Sequence, residues 1–332
     1  MATYKELHGT PIEVVSSDPS NPVDGQVWYN STSNVLKGNL SYVTSWATGG
    51  TLNTARYVLA SAGTQTAGLA FGGEVPSLVD VNESYNGTSW TEVADLNTAR
   101  QELAGNGTQT SALAYGGRKP AIADEAESWN GTSWTETADL NTDRRYLAGA
   151  GADNESALAF GGPSSAPGGT NQALTESWNG TSWTETGNLN QARGVLTGTG
   201  IITSALAVGG DAPPLTPIFQ DLTESWNGSS WTEVGDLNTA RQSLASAGVN
   251  TTAALVFGGS APPSPTPSIM VLVESWNGSS WTETTDLSTG RHNLTGTGSY
   301  PAALASGGRT PTTVGATEEW NNGPVVATFD AS

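Results

Sequence analysis

The chain has 332 residues, with 31 acidic against 12 basic side chains and a formal charge of −19; such a surface repels phosphate backbones and anionic lipid, so nucleic acid and membranes are excluded as expected partners. There is no cysteine, which removes disulfides, thiolate zinc sites and a cysteine nucleophile. Twelve tryptophans against two methionines, with 41 glycines, predict a core of Trp, Leu, Ala and Val in which backbones approach closely.

Residues 1–38 do not repeat. "MATYKELHGTPIEVV" has no apolar h-region, and the chain contains no run of about 18 apolar residues, so neither a signal peptide nor a membrane span is predicted. "VWYNSTSNVLK" reads as a hairpin, with Trp28 expected to pack against some neighbouring surface. This segment is an arm expected to lie along the last sheet or to dock onto another subunit.

From residue 39 the chain becomes periodic. Gly-Gly occurs at 72–73, 116–117, 161–162, 209–210, 258–259 and 307–308, at intervals of 44 to 49 residues. Arg56, Arg100, Arg144, Arg193, Arg241 and Arg291 keep step, each followed three residues later by a leucine. Each repeat predicts four short strands: an Ala/Ser/Gly-rich one suited to a crowded axis, a "GLAFGG"-like one, and two flanking Asn-Gly in "ESWNGTSWTE". Asn-Gly between β-prone segments is a hairpin signal. A two-residue turn pairs Trp129 with Thr132, and a four-residue turn sets Trp129 opposite Trp134; either way both rings share one face and form the packing layer between sheets.

The second tryptophan precedes the next arginine by ten residues in Trp90, Trp134, Trp183, Trp231 and Trp281, and Trp46 keeps the same distance from Arg56. The last repeat, "EEWNNGPVV", has no second tryptophan after Trp320. A strand missing at the end is therefore expected from the beginning. The prediction is an all-β, six-bladed β-propeller over 39–323, with four-stranded antiparallel blades and an N-terminal strand completing the last; 324–332 form a tail that could pair with the same edge.

On these residues the chain resembles kelch propellers. The double glycine Gly116-Gly117, the aromatic Trp129 and then Trp134 correspond to the kelch pattern, although the aromatic-to-Trp spacing is shorter than usual for that family. The same stretch has a faint likeness to the sialidase Asp-box, with Asn where the Asp belongs. "SSDPSNPVDGQVWYNSTSNVLKG" resembles N-terminal segments of structural proteins of tailed bacteriophages, marine ones in particular, as do "SWNGTSWTE"-type repeats. That resemblance implies a virion component, made in the host cytoplasm, whose residues 1–38 contact other virion proteins.

Between strands two and three the loops lengthen from nine residues to thirteen or fourteen in repeats three, four and five, and become proline-rich. Pro163, Pro167, Pro214, Phe219, Pro263 and Met270 there are candidate partner-binding residues on one raised sector. Catalytic candidates are few. Only His8 and His292 exist, no serine–histidine–acid set can be drawn, and no His/Cys cluster has metal-ligand spacing, so no cofactor is expected. The repeat arginines are expected to bridge blade junctions, with a carbonyl or an acid such as Asp95 or Asp139. Glu127, Glu136 and Asp139 could hold calcium, but no Asp-x-Asp-x-Asp loop is present, and solvated faces are the simpler expectation. The Asn-Gly-Thr/Ser sequons follow from the hairpin itself. Three functions are weighed: a non-enzymatic phage structural or binding disc, which leads; a carbohydrate- or receptor-binding module for host adsorption; and a sialidase-like glycoside hydrolase using converging arginines.

Overall fold

The computed structural model describes residues 6–7, 10–20, 25–165, 170–213, 218–262 and 268–329. Among them all regular structure is β-strand; there is no helix. The chain divides into two compact units, residues 1–45 with 321–332, and residues 46–320.

In the larger unit each repeat makes one antiparallel sheet in simple up-and-down order. In the second repeat Ala104–Thr108, Ser111–Tyr115, Ala126–Trp129 and Trp134–Glu136 pair in sequence. The same order holds for the first repeat and for the third to fifth. The sixth sheet takes Thr295–Ser299, Ala302–Ser306 and the strand Thr317–Phe329, beside which runs Val35–Thr48. Trp46 sits where the other repeats place their fourth-strand tryptophan. Its ring lies 5.4 Å from Trp320 and 5.1 Å from Phe257, and its indole N–H donates to the Thr285 carbonyl at 3.1 Å, as Trp183 donates to Ala138.

The hairpin is of the four-residue kind: Trp129 stands opposite Trp134 and Glu127 opposite Glu136. The Asn130 side chain explains the choice. Its carbonyl oxygen accepts the Thr132 and Ser133 N–H groups at 2.9 and 3.0 Å, an Asx turn that needs a positive φ only at Gly131 (+91°), whereas a type I′ turn needs it at both central residues. The paired rings lie 5.2–5.4 Å apart in repeats two to five. In repeats two to four the second ring then meets the aromatic ending the previous repeat's second strand, in Phe71–Trp134 at 4.9 Å, Tyr115–Trp183 at 5.0 Å and Phe160–Trp231 at 4.8 Å, whereas Trp281 clusters with Val208 at that position. Rings of this size bury on the order of 150–250 Å² each, so this layer adds a large apolar contact between successive sheets. Its close fit requires glycine: a Cβ on Gly105, Gly198 or Gly296 would run into the ring of Phe71, Phe160 or Phe257.

The first strands face inward. Contacts run from Ala60–Thr64 to Ala104–Thr108, on through Ala148–Ala150, Thr197–Ile201 and Ala245–Asn250 to Thr295–Ser299, and from there back to Ala60–Thr64. Ser61 and Thr295 share a hydrogen bond at 2.6 Å, and the Thr297 hydroxyl donates to the Gly63 carbonyl at 2.6 Å. Small residues permit this approach, which larger side chains would block.

The smaller unit is organised around Asp18. Glu13–Val15 pairs parallel with Val27–Asn30, which turns back antiparallel onto the start of Val35–Thr48. The fully buried Trp28 donates its indole N–H to Asp18 at 3.0 Å, and Asn30 and Lys37 donate to the same carboxylate at 2.7 Å. These bonds hold the Asp18 carboxyl down to about 2.

Candidate functional site

The six repeat arginines are fully buried. Each pairs with the glutamate two residues before the Trp or Tyr of its own third strand: Arg100–Glu127 at 2.9 Å, Arg144–Glu176 at 2.8 Å, Arg193–Glu224 at 3.0 Å, Arg241–Glu274 at 2.7 Å, Arg291–Glu318 at 2.8 Å, and Arg56 with Glu83. The partner acid thus differs from the one the sequence suggested. Asp95 and Asp139 instead accept the backbone N–H groups of Asn82 and Ala126. The carbonyl part of the expectation is present: Arg144 donates to Gly161 and Leu174 at 3.1 and 2.9 Å. The other glutamate oxygen is also engaged, as where Glu176 accepts both the backbone and the side-chain N–H of Asn141 at 2.7 and 2.8 Å. Each arginine's own carbonyl accepts an N–H from the double glycine of the preceding repeat, and Gly308 donates to Arg56 at 2.9 Å. These arginines are spent on the frame and do not converge on an open site. Glu127 lies in this buried network, while Glu136 is exposed.

Two residues beyond each arginine lies a position that residue type does not announce. Val58, Glu102, Tyr146, Val195, Ser243 and Asn293 all have φ between +48° and +59°. For β-branched valine this left-handed conformation is a real strain. The reason is a cycle of six hydrogen bonds: Glu102 N–H donates to Val58 O, Tyr146 to Glu102, Val195 to Tyr146, Ser243 to Val195, Asn293 to Ser243 and Val58 to Asn293, at 2.8–3.0 Å. The left-handed turn lets each residue present its N–H to one neighbour and its C=O to the other. Beneath this ring the six leucines that follow line the same narrow cavity of about 90 Å³. They are 5–7% exposed and form an apolar floor below the polar mouth.

In a chain that otherwise repeats itself, the mouth is where the repeats disagree. Arg145 pairs with Glu102 at 3.0 Å and stands 5.5 Å over the Tyr146 ring, whose hydroxyl is pushed well above its ordinary range by burial and by Glu102. Arg309 stacks over Tyr57 at 4.8 Å. His292 and Arg309 face each other across an antiparallel bridge, and burial, then Arg309, pull the imidazole below its usual range. Asp211 is pushed upward by burial, opposed by the Asn171 amide, which donates at 2.9 Å. A groove of about 510 Å³ crosses repeats three to six, lined by Tyr146, Asp211, Gln242, His292, Asn293 and Arg309 among others.

The proline-rich loops start at the double glycines beside this mouth. Pro163 is buried and bridged to Asn171, Phe219 is 8% exposed and bridged to Asp211, and half-buried Met270 donates its N–H to Gly259 at 2.9 Å. Pro167, Pro214 and Pro263 lie outside the described residues, as does His8. Ile269 and Asp211 bring the bases of two of these loops into the groove wall. The sequence signal for the mouth was available: between the invariant Arg and Leu, two columns vary from repeat to repeat, and the second of them reads Val, Glu, Tyr, Val, Ser, Asn.

Among the described residues no group of three or more His, Asp or Glu side chains is placed to hold a metal ion, and no helix is long and apolar enough to cross a membrane. Comparison with known families and with curated proteins finds no match to this chain.

Proposed function

We propose that the chain is a closed six-bladed β-propeller of kelch type that serves as a rigid, non-enzymatic interaction disc in a tailed-phage particle. Residues 1–38 attach it to neighbouring virion proteins, and the loop-bearing face around the mouth meets a partner. The closed ring is supported by the six-membered hydrogen-bond cycle and by Trp46 beside Trp320. The phage assignment is supported by the likeness of the N-terminal segment to virion proteins.

One observation carries the functional reading. The repeated polar chemistry is consumed inside the frame, while the residues that vary from repeat to repeat gather at one mouth. A scaffold that fixes its backbone through identical bonds is free to vary the side chains it displays. Particles assembled with the full chain and with a chain lacking residues 1–38 test the attachment. Incorporation is expected to disappear while circular dichroism retains its β signature; undiminished incorporation of the shortened chain contradicts the assignment.

A further inference from the structure

We propose that the groove across repeats three to six binds a carboxylate-bearing monosaccharide unit of the uronic acid class, with Arg309 receiving the carboxylate and the surrounding amides and hydroxyls receiving ring hydroxyls. The inference rests on the reading of the loop-bearing face as the partner-facing one and gives that face a ligand chemistry.

Arg309 is the starting point. Of the other basic groups near the mouth, Arg145 is neutralised by Glu102 and Lys119 by Glu125, while Arg118, at the same repeat position as Arg309, is exposed and is not among the lining residues of this groove. Among the described residues Arg309 has no acid within ion-pair distance, and its Nε is buried without a partner. Its guanidinium is nonetheless held in place, stacked on Tyr57 at 4.8 Å. An oriented guanidinium fork matches a carboxylate in two-point geometry and loses little side-chain freedom on binding. In a chain of charge −19, Arg309 is the one arginine among the described residues that lines this groove, and it has no acid partner there.

The rest of the groove selects the body of the ligand. Gln242, Ser243, Ser260 and Asn293 offer neutral donors and acceptors, and the Gln242 Oε1 is buried with no partner. The one carboxylate in the wall, Asp211, is already engaged by Asn171, and burial favours its protonated form. Tyr146 and Pro311 add apolar surface suited to the C–H face of a pyranose. The volume of about 510 Å³ falls within the range of small-ligand sites and exceeds what one sugar ring fills. The net negative field disfavours long polyanions, so a singly charged unit fits better than a run of them.

Titration calorimetry on the full chain, with glucuronate, galacturonate, glucose, galactose and N-acetylaspartate as probes, tests the assignment. One uronate is expected to bind per chain, weakened about ten- to a hundredfold in Arg309→Gln and unchanged in Arg118→Gln, which alters the arginine at the same position of repeat two. Arg309→Lys, which keeps the charge but loses the fork, is expected between these limits and serves if the glutamine variant does not fold. Saturable shifts of the His292 ring signals should accompany uronate binding. The proposal is overturned if no uronate binds, if glucose binds as tightly, if N-acetylaspartate competes equally, or if Arg309→Gln binds undiminished. Any of these alongside intact particle incorporation removes the ligand assignment and leaves the attachment reading standing.

Discussion

Replacing Glu176 by glutamine probes the frame at one of its six repeated points. Arg144 and Glu176 are both fully buried, and the carboxylate accepts from Arg144 through one oxygen and from Asn141, twice, through the other. Glutamine is nearly isosteric but supplies a single acceptor oxygen, so its amide nitrogen must face a donor on one side or the other. It also leaves the Arg144 charge without its counter-ion. Breaking a buried pair from one side costs about 3–5 kcal/mol. With unfolding entropy of about 2.1 cal/mol/K per residue over the roughly 275 residues of the larger unit, that loss lowers Tm by about 5–9 °C. The assay is urea and thermal unfolding of wild type, Glu176→Gln and Glu185→Gln. Glu185 belongs to the same hairpin but is exposed, so its substitution should stay within about 0.5 kcal/mol. Indistinguishable midpoints for Glu176→Gln and Glu185→Gln would refute the claim that the buried pairs hold the frame.

The left-handed ring makes an opposite prediction. Val195→Asn removes β-branching from a residue at φ +54°, so it should be neutral or stabilising by about 1 kcal/mol, while Leu196→Ala next door should cost about 2–5 kcal/mol in urea unfolding. A costly Val195→Asn would show that the strain is not there. In the smaller unit, hydrogen bonds from Lys37, Asn30 and Trp28 depress Asp18 to about 2. The folded form therefore retains the carboxylate after an unfolded chain would have protonated it, and these bonds are lost as pH falls from about 4 towards about 2. The Trp28 indole N–H resonance should move in that window; a midpoint near 4 would contradict the arrangement. His292 shifts downward, so an unfolded chain takes up the proton first, and the stability it contributes is present above about pH 6.5 and lost as pH falls below it. Its ring carbon resonances should titrate below that value, and a midpoint at or above it would place the imidazole in open solvent.

The four-stranded antiparallel sheets were legible because repetition averages out local ambiguity: six regularly spaced copies of Gly-Gly and five of Asn-Gly between β-prone runs leave one consistent reading. Trp46 was legible through spacing alone. The partner of the arginines was not, because Glu127 and Glu136 look alike in sequence and only strand position buries the first and exposes the second. The turn length could not be settled from Asn-Gly because the same pair serves a type I′ turn and an Asx turn, and the Asn130 carbonyl decides between them. The strained ring was hidden for a deeper reason. Valine and tyrosine do not advertise a positive φ; the cycle of hydrogen bonds imposes it, and such a cycle exists only once all the repeats are in place. Arg309 and His292 likewise become neighbours through a bridge between segments that the sequence alone gives no reason to join.

The absence of native cysteine allows the proposed closure to be tested. The Ser61 and Thr295 hydroxyls lie 2.6 Å apart, joining the first repeat to the last. A Ser61→Cys/Thr295→Cys chain, refolded under oxidising conditions at low concentration, is expected to form an intramolecular disulfide that survives denaturation and gives a compact monomer on a non-reducing gel. Free thiols, or links formed only between chains, would show that the first and last sheets do not meet.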